Sequence, residues 1–90
     1  MKAIVTVVGK DRVGIIAEIC TLLAEMKVNI IDINQTVMQD DFFTMVMLTD
    51  TKKSDLSFGE ISEKLNKKGE EMGLSIRIQL EDIFNSMHKI

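Results

Sequence analysis

The chain has 90 residues, enough for one small domain around one core, and 46% of them are hydrophobic, with no tryptophan, tyrosine or proline. That composition excludes a disordered chain and supplies more apolar surface than a small monomer readily hides, so self-association is expected. Fourteen acidic against 11 basic residues leave a formal charge of −3 without any basic block, which argues against direct nucleic-acid binding.

No apolar run reaches membrane-spanning length, and the first eight residues are too short for a secretory signal. Cys20 has no internal partner for a disulfide and falls inside an apolar helical pattern, so it is expected to be buried in a protein of the reducing cytoplasm.

Residues 3–8 are apolar on both faces and rich in β-branched side chains, the pattern of a central strand. Residues 14–26 then place Ile16, Ile19, Cys20 and Leu23 at helical spacing, with Ile15, Leu22 and Met26 widening the stripe to a largely buried helix. After a turn at Lys27-Val28-Asn29, residues 30–39 and 42–48 flank Asp40-Asp41, which predicts a hairpin with a two-residue turn. In that register one face collects Ile31, Ile33, Val37, Phe42, Val46 and Leu48 and is assigned to the helices. The other collects Asp32, Asn34, Thr36, Met38, Phe43, Met45 and Met47 and is assigned to solvent or a partner.

Residues 54–72 form a second amphipathic helix with Phe58, Ile61 and Leu65 inward. Ser54 or Ser57 is available as a cap, and Ser57 with Glu60 makes a capping box if the helix starts late. Glu60 with Lys64 and Glu63 with Lys67 stand four apart on what reads as a solvated face. Gly73 suits the helix stop, and residues 74–81 alternate as a half-exposed strand. Leu80, Ile83, Phe84 and Met87 recur at helical spacing, which predicts a short C-terminal helix with an apolar side that docks, preferably across a dimer.

The order βαββαβ predicts an α+β, ferredoxin-like sandwich: a four-stranded antiparallel sheet with two helices on one face and the other face open. That topology hosts many functions, so the site must decide. A metal-carrying version needs cysteines in the first loop, which has none, and an RNA-recognition version needs exposed aromatics with basic neighbours. Arg12 alone supports an acylphosphatase-like enzyme only weakly, and no nucleophile and base can be paired, so no catalytic residue, metal or cofactor is expected. Asp40 and Asp41 read as a turn, and His88 as a solvated tail residue.

The stretch Val8-Gly9-Lys10-Asp11-Arg12-Val13-Gly14-Ile15-Ile16 carries the most chemistry, because a strand ends in two close glycines and a charged turn and a helix opens behind it. Glycine permits positive φ and close backbone approach, while the first helical amides lack internal partners and carry the positive end of the helix dipole. A carboxylate is welcome there. Asp11 either receives a ligand amino group or caps the turn's own amides, and Lys10 and Arg12 tilt the local field towards anions. Strand-to-helix turns also use glycine and an acidic residue for geometry alone.

Gly9-Lys10-Asp11-Arg12-Val13-Gly14-Ile15-Ile16-Ala17, followed by Val28-Asn29-Ile30, Gln35-Thr36-Val37 and Phe43-Thr44-Met45, resembles an ACT domain over roughly residues 2–82. The ending, Ile83 to Ile90, is similar to that of small stand-alone bacterial ACT-domain proteins, which are related in turn to the ACT repeats of the glycine cleavage system repressor. The resemblance implies an ACT domain over residues 1–82 with a helical extension over 83–90. It also implies a non-enzymatic regulatory module that binds an amino acid or similar small ligand at the interface of a homodimer or higher homo-oligomer. Matching positions carry the ligand role to Asp11, Gly14 and Ile15, with Gly9, Lys10 and Arg12 in the same loop, and to Asn29 and Ile30 across from it. Asp32, with Asn34, lines either a wet sheet face or an interchain pocket. Many relatives have proline where Val13 stands, and no catalytic domain is expected to accompany the module. The alternative is a protein-interaction or scaffold module with a vestigial ligand loop.

Overall fold

The computed structural model describes residues 1–82. The elements run in chain order β1 (Lys2–Lys10), α1 (Ile15–Glu25), β2 (Asn29–Met38), a 3-10 turn (Gln39–Asp41), β3 (Phe42–Asp50), α2 (Phe58–Met72) and β4 (Leu74–Leu80). The strands form one antiparallel sheet in the order β2-β3-β1-β4, which is the βαββαβ ferredoxin-like arrangement. β1 lies inside the sheet, as its two-sided apolar pattern requires. Ala3, Val5 and Val7 face the helices, while Ile4, on the other face, is itself only 8% exposed.

The second helix starts and stops where local chemistry dictates. At α2 the Ser57 hydroxyl accepts from the Glu60 amide at 3.1 Å and the Glu60 carboxylate accepts from the Ser57 amide at 3.0 Å, so the late start with its capping box is the one adopted. Glu60 is thereby committed to the cap, and neither it nor Glu63 forms an ion pair with its lysine among the described residues. Gly73 closes the helix at φ 71°. Gly69 is buried where α2 crosses β4, and a Cβ there would stand 2.6 Å from the Leu74 carbonyl oxygen. The core joins Ile15, Ile19 and Leu23 of α1 and Ile61 and Leu65 of α2 to the inner face of the sheet. Thr49, fully buried there, donates its hydroxyl to the Ala3 carbonyl at 2.8 Å and so leaves no polar group unpaired. Cys20 is half-buried rather than enclosed, and desolvation raises its thiol pKa.

The hairpin departs from its predicted turn. Asp40 and Asp41 take left-handed backbone angles, φ 67° and 59°, within a three-residue turn that also uses Gln39, so Met38 rather than Gln39 opposes Phe42. Side chains alternate with period two, and one extra turn residue therefore inverts the facing of β3 against β2. Phe43, Met45 and Met47 enter the core, fully or nearly so, while Phe42, Val46 and Leu48 lie on the open face. The methionine-rich outer surface is thus largely a core surface, with only Met38 remaining outside. Ile33 and Val37 keep the helix side, abreast of Met47 and Phe43, but β2 runs beyond the cover of the helices and leaves them 40% and 52% exposed. Glu81 and Asp82 are helical; the rest of the predicted C-terminal helix lies outside the described residues.

Candidate functional site

α1 begins at Gly14, whose φ of 94° and ψ of −2° turn the chain sharply out of β1 without any side-chain cap. The first helical bond runs from the Glu18 amide to the Gly14 carbonyl at 3.0 Å, so the amides of Ile15, Ile16 and Ala17 precede the hydrogen-bonded ladder and point out of the helix end. The loop before them is held by its backbone, since the Asp11 amide donates to the Asp41 carbonyl at 2.7 Å and ties the loop to the β2-β3 turn. The Asp11 carboxylate is exposed and makes no hydrogen bond or ion pair among the described residues. Of the two roles open to it, capping its own turn is therefore not the one this structure uses.

Arg12 is paired with the first turn of α1. Its guanidinium donates to Glu18 Oε2 at 3.0 Å and to the Val13 carbonyl at 3.3 Å, and Lys68 of α2 approaches Glu18 Oε1 at 3.5 Å. The Arg12 hydrogen bond lowers the Glu18 pKa, with smaller help from the Arg12 charge and from Lys68, against a desolvation that raises it.

Asp11, Arg12, Gly14 and Ile15 line an open depression of about 380 Å³ together with Ile16 and Ala17 of α1 and Gln35, Val37 and Phe43 of the sheet. Gly9 and Lys10 lie at the end of β1, beside this depression but outside its lining. Gly9 has a packing reason of its own, because a Cβ there would run into the Leu74 side chain. Asn29, Ile30 and Asp32 sit elsewhere. β2 runs in the same direction as β1, so Met38 ends level with Lys10 while Asn29 lies level with Lys2, about 30 Å along the strand. Asp32 spends one carboxylate oxygen on the Ile33 amide at 2.9 Å. One chain therefore brings the loop residues together and leaves the β2 residues at the far end of the sheet.

Sequence reasoning missed Ile16, Ala17, Gln35, Val37 and Phe43 as lining residues. The signal was the hairpin register: only a three-residue turn sets Val37 and Phe43 abreast on the side of α1. A second depression, of about 300 Å³, lies between the end of α1 and the start of α2, where the exposed Lys27 and Asp55 meet at 3.5 Å and the α2 terminus is already capped.

A ferredoxin-like α+β fold with an uncapped helix end beside a sheet edge is the class these features define. The sequence matches the ACT domain family over residues 2–79, and the chain belongs to that family. It is 57% identical over 90 residues to a UPF0237 protein of Clostridium acetobutylicum, with all of both chains covered. Among solved structures it superposes on an ACT domain protein from Streptococcus pneumoniae with a TM-score of 0.81 at 39% identity, covering 93% of each chain. It also superposes on a candidate glycine cleavage system transcriptional repressor with a TM-score of 0.74 at 28% identity, covering 87% of this chain and 44% of the other.

Proposed function

We propose that the chain is a non-enzymatic, cytoplasmic regulatory module that binds an amino acid at the α1 terminus and completes the site by dimerising through β2. The observation that carries this reading is the pairing, at the mouth of one depression, of three uncommitted helix-end amides with the unpaired Asp11 carboxylate. The amides and the helix dipole favour the ligand carboxylate, the unpaired Asp11 carboxylate suits its ammonium group, and the exposed Ile16 and Val37 offer apolar contact to a side chain.

The edge supports the second half of the reading. β2 is a ten-residue outer strand carrying exposed Ile31, Ile33 and Val37, with no proline or lysine and a single charge, Asp32. Natural edges of that length are usually blunted by charge or covered. Two copies pairing antiparallel about a two-fold axis near the middle of β2 bring the partner subunit's Asn29 and Ile30 to the Met38 end, beside the loop from which they are separated within one chain. The family-derived positions then fall into one site.

A second reading, a protein-interaction or scaffold module with a vestigial loop, draws on the Arg12–Glu18 pair, which neutralises a cation that an anionic ligand would otherwise use. Sedimentation velocity on the purified chain, combined with thermal denaturation against each of the common amino acids, separates the two. The ligand reading expects a dimer at micromolar concentration and one class of amino acid that raises the melting temperature, since saturation at 100 times Kd stabilises by about 2.7 kcal/mol. A dimer that no amino acid stabilises favours the interaction module. A monomer defeats the interface on which the ligand reading stands.

A further inference from the structure

The backbone groups that β2 offers at its free edge follow from the two ends of the neighbouring ladder. The Asp11 amide donates to the Asp41 carbonyl at 2.7 Å and the Thr51 amide to the Met1 carbonyl at 2.9 Å, each one step beyond an end of the β1-β3 register. Hydrogen-bonded pairs alternate along an antiparallel ladder, so the odd-numbered residues of β3 bond to β1 and the even-numbered ones to β2. Phe42, Thr44, Val46 and Leu48 therefore take Met38, Thr36, Asn34 and Asp32, and the backbone of Ile33, Gln35 and Val37 projects from the edge of the sheet.

One of these projecting groups is already occupied. The Ile33 amide donates to Asp32 Oδ1 at 2.9 Å, so the exposed carboxylate that is the single charge on β2 sits where a strand partner's carbonyl would bond. On the other side of Asp32 the pairing with β3 shifts register past Ile31. The regular edge thus runs from Asp32 to Met38, with Gln35 at its centre.

We propose, on the basis of the β2 dimer argued above, that two copies pair with their two-fold axis at Gln35 and that Asp32 competes with this pairing by holding the Ile33 amide. In this register every projecting residue finds its match: Gln35 stands opposite the partner's Gln35 and Ile33 opposite the partner's Val37, each pair exchanging both bonds. A shift of one residue sets projecting groups against groups already bonded to β3. A shift of two brings either the Ile31 irregularity or the hairpin turn into the interface. Ile33 and Val37, 40% and 52% exposed on the helix side, cover one another across the axis. Gln35 and Val37 line the depression beside α1, so the partner's Gln35 and Ile33 extend its sheet wall. The two Asp32 carboxylates lie about 20 Å apart along the paired strands, beyond the screening length of about 8 Å, so what opposes the dimer is the cap and not their mutual repulsion.

Two measurements on the full chain test the register and the competitor separately. Asn34→Cys, Gln35→Cys and Thr36→Cys, each in a Cys20→Ser background, are oxidised and run on non-reducing gels. Gln35→Cys should cross-link to its own copy most readily, because hydrogen-bonded partners have Cα atoms about 5.5 Å apart, within disulfide reach. Sedimentation equilibrium should show Asp32→Ala tightening the dimer about fivefold or more, since two amide caps are removed. Asp32→Asn keeps an acceptor oxygen without the charge and should fall between parent and alanine. Strongest cross-linking at position 34 or 36 would overturn the register while leaving the β2 dimer intact. An unchanged Kd for Asp32→Ala, or asparagine equal to alanine, would overturn the competitor role. A monomer, or a dimer that none of the three cysteines cross-links, would defeat the β2 interface itself and the proposal with it.

Discussion

Replacing Gly14 by alanine isolates the backbone conformation that opens the candidate site. The residue sits at φ 94°, and a Cβ built there meets nothing nearer than Glu18 Oε2 at 3.9 Å, so the substitution brings strain without a clash. A non-glycine residue in the left-handed region costs about 1 to 2 kcal/mol. In a domain of this size each 1 kcal/mol moves the melting temperature by roughly 4–8 °C. Gly14→Ala should therefore lower the urea midpoint at unchanged slope, and Gly14→Asn should cost less, because asparagine visits this region more readily. Gly14→Val should be worse than either, since a β-branched side chain adds rotamer restriction at the helix entry. Gly14→Ala as stable as the parent, or Gly14→Asn costing more than Gly14→Ala, would refute the assignment of a strained turn and with it the fixed direction of the Ile15–Ala17 amides.

Gly69→Ala should destabilise by about 1 to 3 kcal/mol in denaturant titration, because its Cβ meets the Leu74 carbonyl and backbone does not yield cheaply; Gly59→Ala, whose Cβ would make only an ordinary contact with Ser57 Oγ at 3.9 Å, should be neutral or stabilising. Met47→Ala should cost about 2 to 5 kcal/mol as a core cavity, and a loss under 0.5 kcal/mol would return β3 to the opposite facing. Asp11→Ala should leave thermal stability within about 0.5 kcal/mol while abolishing amino-acid binding in calorimetry, since its carboxylate has no partner in the fold. Glu18, Asp50 and Glu60 all titrate below the usual carboxylate value, through hydrogen bonds from Arg12, from the Lys52 amide and from the Ser57 amide respectively. Their folded pKa values lie below the unfolded ones, so their contribution is present above about pH 4.3 and is lost as pH falls through the folded values. Urea midpoints measured from pH 7 to pH 2 should be level at first and decline only under about pH 4.5.

The order of elements was legible because each carries a strong local signal: two-sided β-branched residues in β1, helical spacing from Ile15 to Leu23, the Ser57-to-Glu60 cap and the strict alternation of β4. The facing of β3 was not, because alternation from Phe42 to Leu48 is apolar at almost every position and so does not declare an inside. Facing was then decided by turn length, and Asp40-Asp41, without glycine, needed Gln39 as a third residue. The loop side of the depression was legible in Asp11, Arg12, Gly14 and Ile15, which line it, whereas Gly9 and Lys10 lie beside it. Its sheet wall was not, because Gln35, Val37 and Phe43 meet α1 only through the tertiary register. The far placement of Asn29, Ile30 and Asp32 follows from strand direction, which local sequence does not express.

The most direct test of the central claim is an amide chemical-shift titration of the isotope-labelled chain with the common amino acids. The account predicts saturable shifts for one class of amino acid at Asp11, Ile15, Ile16 and Ala17, accompanied by shifts at Asn29 and Ile30, which lie about 30 Å away within a chain and reach the loop only if two chains pair through β2 as proposed. Shifts confined to other surfaces, or an amino-acid series that leaves the loop unmoved, would contradict it.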